Sequence, residues 1–116
     1  MNTLFILNDP PYGTERSYNA IRLATALAKR EGQSVRVFLM GDAAAVARSG
    51  QRVPQGYYNL ERMLELLTSA GAQVAACGTC MDARGITSED LVPGAQKSTL
   101  SELTDWTLWA GKVVVF

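Results

Sequence analysis

Four short apolar runs divide this chain: Thr3–Leu7, Val35–Met40, Gln73–Ala76 and Lys112–Phe116. Runs with so few polar interruptions are what a strand buried on both faces requires. Between them the apolar residues fall at helical spacing. Thr14 reads as an N-cap, followed by Tyr18, Ile21, Leu23, Ala24, Leu27 and Ala28 up to Gly32. Asp42 reads as the cap of a short alanine-rich helix that Gly50 ends, and Gln51–Tyr58 reads as a loop. Asn59 caps a third helix with Leu60, Met63, Leu64 and Leu67 on one stripe and Gly71 at its end. Met81–Ser98 is irregular, with a helical turn near Ser88–Leu91 and a short strand near Ala95–Lys97. Thr99-Leu100-Ser101-Glu102 is a capping box that opens a helix running to Ala110, where Gly111 stops it. Strands alternating with amphipathic helices predict an α/β fold. The expectation is a single three-layer domain over residues 1–116, with a mainly parallel sheet of about five strands covered by helices on both faces.

Composition narrows the function classes. Eleven basic and eleven acidic side chains cancel, so no field of one sign points to nucleic acid or an anionic membrane as partner. No apolar run approaches the ~20 residues that span a bilayer. The Met1-Asn2-Thr3 start lacks a basic n-region, which predicts a cytoplasmic, reducing setting. Histidine is absent, which excludes Ser-His and Cys-His dyads and imidazole metal ligands. The Gly-x-Gly-x-x-Gly and P-loop patterns are also absent, so no organic cofactor is expected.

What remains is sulfur. Cys77-Gly78-Thr79-Cys80 follows the third strand directly and holds both cysteines of the chain. Two thiols at this spacing can exchange a disulfide, carry a sulfane sulfur or share a metal. Zinc needs four ligands and the pair supplies two, so no metal site is expected. Open parallel sheets bind ligands beyond the carboxyl ends of their strands, where strand order reverses. With an order beginning 2-1-3, the loop Asn8–Gly13 and Cys77 converge on one crevice, with Asn8, Pro11, Tyr12 and Gly13 as its lip. The thiolate is the reactive form. Arg84 and exposed N–H groups at Gly78 are expected to stabilise it, Thr79 to donate a hydroxyl hydrogen bond, and Cys80 to act as resolving thiol. The alternative for either cysteine is a small buried hydrophobe.

Beyond single residues, Asn8-Asp9-Pro10-Pro11-Tyr12-Gly13, Phe38-Leu39-Met40-Gly41-Asp42-Ala43, Gly56-Tyr57-Tyr58-Asn59 and Cys77–Gly85 stand in this order. Thr99–Leu103 and Trp106-Thr107 follow. Together they resemble the DsrE/DsrF-like proteins, in particular the small stand-alone YchN-like branch. The resemblance spans the chain and implies an α/β domain that assembles as trimers or hexamers. Better-understood relatives are sulfur carriers in tRNA thiolation and dissimilatory sulfur oxidation, in which a cysteine matching Cys77 passes a persulfide sulfur between proteins. The resemblance therefore implies a sulfurtransferase-like carrier, working as a homotrimer or homohexamer with donor and acceptor proteins. A thiol–disulfide redox protein using Cys77–Cys80 and a non-catalytic oligomeric binding module are the alternatives. Trp109, the Tyr57-Tyr58 pair and the apolar last strand are the surfaces expected to meet other copies.

Overall fold

The computed structural model describes all residues, 1–116. Five strands form one sheet: β1 (Asn2–Leu7), β2 (Ser34–Leu39), β3 (Gln73–Cys77), β4 (Ala95–Ser98) and β5 (Lys112–Val115). Every neighbouring pair is parallel, in the order β4-β3-β2-β1-β5. The helices are α1 (Arg16–Ala28), α2 (Leu60–Ser69), α3 (Gly78–Ala83) and α4 (Leu100–Trp109), with 3-10 segments at Gly41–Ala47 and Ser88–Asp90.

Side chains alternate across a strand, so the runs of β1, β2 and β3 each feed two cores, while β5 lies exposed at the sheet edge. Phe5, Leu7, Val37, Leu39, Val74 and Ala76 face α1, α2 and the alanine-rich 3-10 segment. Leu4, Phe38 and Ala75 face the other way, onto Leu103 and Trp106 of α4. Trp106 meets Phe38 edge to face at 5.9 Å, and the Arg36 guanidinium lies over the rings of Trp106 and Trp109 at 5.2 and 3.9 Å. The two-sided α/β sandwich expected from the sequence is therefore present.

The strand order differs from the expected 2-1-3 start. Crossovers between parallel strands are right-handed. α1 and α2 pack against one another on the same face, so the steps from β1 to β2 and from β2 to β3 run in one direction. α4 lies on the opposite face, which returns β5 to the free edge of β1. Order thus reverses between β1 and β5, with β2 separating β1 from β3. At the reversal the Asn8 backbone N–H and side-chain amide both donate to the Phe116 carbonyl, at 3.0 and 3.1 Å, closing the seam.

Two caps also differ. Thr14 donates its hydroxyl to Asp9 at 2.9 Å and precedes Glu15, which stands at the N-cap of α1. Asp42 lies inside the first turn of its 3-10 segment rather than capping it, because its carboxylate is turned to Arg84. Asn59 does cap α2, accepting from the Arg62 N–H at 3.1 Å.

The Asn8–Gly13 loop is a clamp. The Tyr12 hydroxyl donates to Gln51 Oε1 at 2.6 Å and accepts from the Leu60 N–H at 3.1 Å, the first residue of α2. Its ring stacks on Tyr58, which stacks on Tyr18 at 4.2 Å. Gly13, at φ 101°, turns the chain out of this clamp toward α1. Tyr12→Phe strips a partner from the Leu60 N–H. It should lower unfolding free energy by about 1–2 kcal/mol in denaturant titration, while leaving the alkylation rate of Cys77 unchanged.

Candidate functional site

The site forms where β3 runs into α3. Cys77 is the last residue of β3 and the N-cap of α3, so its side chain does the work that Ser or Asp does at most helix starts. Sγ accepts the Cys80 N–H at 3.3 Å and lies 3.4 Å from the Thr79 hydroxyl. Partial burial pushes the thiol up. Hydrogen bonds from the Cys80 thiol, the Thr79 hydroxyl and the N–H groups of Cys80 and Thr79 outweigh that and hold Cys77 below the ordinary cysteine range. Cys80 moves the other way. Burial raises it, as does donating to Cys77, and the Gly41 N–H and the Arg84 charge only partly offset this. Both thiols are free.

Their surroundings also differ. Cys80 packs against the core under α1 and α2, whereas Cys77 packs against the core under α4. Both cysteines line a pocket of about 480 Å³ at the carboxyl edge of β2 and β3. Phe38 and Met40 form its apolar floor, Ser98–Leu100 line one wall, and the Lys97–Asp82 ion pair, at 2.7 Å, stands at its rim. Cys77 and Ser98 are register partners in the β3–β4 ladder.

Gly78 makes this arrangement possible. A Cβ there would lie 2.7 Å from the Ser98 carbonyl oxygen and 3.1 Å from Lys97 Cε. Any larger residue would force α3 away from β4, and backbone cannot yield as a flexible side chain does.

Several sequence expectations change. Arg84 does not reach Cys77. Its guanidinium donates to Asp42 at 2.8 and 3.0 Å and to the Cys80 carbonyl at 3.0 Å, so its charge acts on Cys80. Asn8, Pro11, Tyr12 and Gly13 do not form a lip on the pocket, because β2 lies between β1 and β3 and the loop turns to Phe116 and α2 instead. Gly78, Thr79 and Cys80 do gather around Cys77. Sequence reasoning missed Phe38, Met40, Lys97, Ser98 and Glu102. The missed signal was Glu102, whose carboxylate reaches Ser98 Oγ at 2.5 Å instead of completing the capping box with Thr99. No group of three or more His, Cys, Asp or Glu side chains converges as a metal site.

Thr79→Val removes a hydroxyl donor that favours the thiolate, so the pH midpoint of Cys77 alkylation by iodoacetamide should rise. Arg84→Ala should leave that midpoint in place. Peptide-resolved alkylation across pH reads both, and a midpoint indifferent to Thr79 would contradict the hydrogen-bonding account.

Comparison with known proteins agrees with this architecture. The DsrE/DsrF-like family model matches residues 1–116. Protein YchN of Escherichia coli K12 is 43% identical over 114 residues, covering 97% of each chain. The uncharacterized protein MK0008 of Methanopyrus kandleri is 38% identical over 112 residues, covering 96% of this chain and 90% of its own. The crystal structure of E. coli YchN superposes with a TM-score of 0.93 at 42% identity, over 99% of this chain and 98% of that one. The protein MTH1491 of Methanobacterium thermoautotrophicum, at 16% identity and a TM-score of 0.78, shares the fold. With its whole length matched by the family model and its α/β frame superposing on YchN, the chain belongs to the DsrE/DsrF-like family.

Proposed function

We propose that this protein is a sulfur-relay carrier that holds sulfane sulfur as a persulfide on Cys77. The observation that carries the reading is the asymmetry of the two thiols. Both cysteines line the pocket, but Cys77, at the start of α3, is held toward the thiolate and packs against the core under α4, while Cys80 is held toward the thiol and packs against the core under α1 and α2. Membership of a family linked to sulfur relay supports the same reading. In loading, Cys77 thiolate attacks the outer sulfur of a donor persulfide. A new S–S bond forms on Cys77, the donor S–S bond breaks, and its electron pair leaves on the donor thiolate. The apolar floor of Phe38 and Met40 shields the product from water.

This reading takes the donor and acceptor to be proteins in a reducing, cytoplasmic setting, where thiols stay free. It also takes the working form to be a closed homo-oligomer, a trimer or hexamer. Leu100, Leu108 and Val115 are 72%, 81% and 64% exposed, apolar surface that a second copy would cover.

A thiol–disulfide exchange role for Cys77 and Cys80 is the second reading. It is favoured by the hydrogen bond from the Cys80 N–H to Cys77 Sγ, which holds the pair one helical turn apart.

Intact mass spectrometry after incubation with a cysteine desulfurase and cysteine separates the two. The carrier reading expects a gain of about 32 Da, one sulfur atom, lost in Cys77→Ser and kept in Cys80→Ser. Loss of two hydrogens without sulfur gain, requiring both cysteines, would support the redox reading. No adduct from any sulfane donor overturns the carrier reading.

A further inference from the structure

If Cys77 carries sulfur as proposed above, delivery poses a proton problem. The acceptor must attack as a thiolate, yet a free thiol has a pKa near ~8.5 and is mostly protonated at neutral pH. The chain contains no histidine to take that proton. Lys97, at the pocket rim, is paired with Asp82 at 2.7 Å.

Of the oxygens that line the pocket, the Asp82 carboxylate is held by Lys97, and Ser98 is the hydroxyl backed by a second carboxylate. Ser98 is 8% exposed, lines the pocket and is the register partner of Cys77 on the adjoining strand. Parallel neighbours lie about 4.8 Å apart, which sets the two residues side by side on the pocket wall. Its O–H donates to Glu102 Oε1 at 2.5 Å. With its hydrogen committed to the carboxylate, Ser98 Oγ can offer the pocket only lone pairs. Glu102 takes part in no ion pair. As the third residue of α4 it is placed to close a capping box, and the Thr99 half is formed, with the Glu102 N–H donating to Thr99 Oγ1 at 3.1 Å. The carboxylate instead turns to Ser98.

We propose that Ser98 and Glu102 form a proton path that makes this site selective for neutral thiol acceptors over acceptors that arrive already ionised, such as sulfite. The acceptor S–H proton passes to Ser98 Oγ as the Ser98 hydroxyl proton passes to Glu102. The electron pair left on the acceptor sulfur forms a bond to the outer sulfur of Cys77–S–SH. The S–S bond to Cys77 breaks, and its pair leaves on Cys77 Sγ, where the Cys80 N–H and the Thr79 hydroxyl receive the thiolate. One negative charge moves from Glu102 to Cys77, and the acceptor leaves as a neutral persulfide. Ser98 is the catalytic residue and Glu102 holds the proton behind it. The apolar floor of Phe38 and Met40 favours the same choice, since an uncharged thiol enters it at less desolvation cost than an anion.

The test uses full-length protein loaded to completion with sulfane sulfur. Loss of about 32 Da from Cys77 is then timed after adding 2-mercaptoethanol or sulfite. Glu102→Gln keeps an oxygen that can accept from Ser98 but cannot hold the proton, and Ser98→Ala removes the path. Both should slow delivery to the thiol by at least about tenfold and leave delivery to sulfite within about twofold. Ser98→Thr, which keeps the hydroxyl, should retain thiol delivery. Equal slowing with both acceptors would mean that the pair only shapes the pocket, and unchanged thiol delivery would mean that no proton takes this route. Either result overturns the proposal while leaving Cys77 as carrier. Failure of the wild-type chain to load any sulfur overturns both.

Discussion

The site depends on one backbone contact, the approach of Gly78 to the Ser98 carbonyl. A hydrogen in place of a side chain lets α3 start against β4 without displacing it. That approach keeps Cys77 at once the last residue of β3, the N-cap of α3 and the register partner of Ser98. It also closes the pocket between the carboxyl ends of β2 and β3 and the start of α4. Side-chain chemistry at the site is thus a consequence of strand packing.

From that contact follows the inequality of the two cysteines. Within one turn of α3 the chain passes from one face of the sheet to the other, so Cys77 belongs to the core under α4 and Cys80 to the core under α1 and α2. Burial and donation to Cys77 raise Cys80, while hydrogen bonds to its sulfur lower Cys77, and the nearest guanidinium is held by Asp42 and the Cys80 carbonyl. Hydrogen bonds to a half-buried sulfur are screened by salt far less than a surface ion pair. Thiolate formation at Cys77 should accordingly depend little on ionic strength.

Much of this was legible in the sequence, for physical reasons. The apolar runs of β1, β2 and β3 are strands covered on both faces, whereas the equally apolar Lys112–Phe116 run is the exposed edge strand β5, and the Asn59 cap and the stripe from Leu60 to Leu67 mark α2 without ambiguity. The Cys-Gly-Thr-Cys stretch marked the candidate site, and the order of matched segments declared the family. Strand order was not legible, because it is set by which face each crossover helix packs on, a long-range choice that local pattern does not carry. From that one error came the misplaced lip of Asn8, Pro11, Tyr12 and Gly13. α3 was not anticipated, its Met81–Ala83 end being read as irregular, because six residues give too little periodicity to detect. Arg84 was assigned to Cys77 on proximity in sequence, and Asp42, distant in sequence, took it instead. Glu102 was read correctly as a helix-start residue, but the direction of its carboxylate is a tertiary outcome.

The central claim is that Cys77, and not Cys80, is the nucleophile of this fold. Native-state alkylation with a limiting reagent at neutral pH, resolved cysteine by cysteine by peptide mass spectrometry, tests it most directly. Cys77, held toward the thiolate by its hydrogen bonds, should be modified first, with Cys80 following more slowly. Faster modification of Cys80, or equal rates at the two positions, would contradict the account.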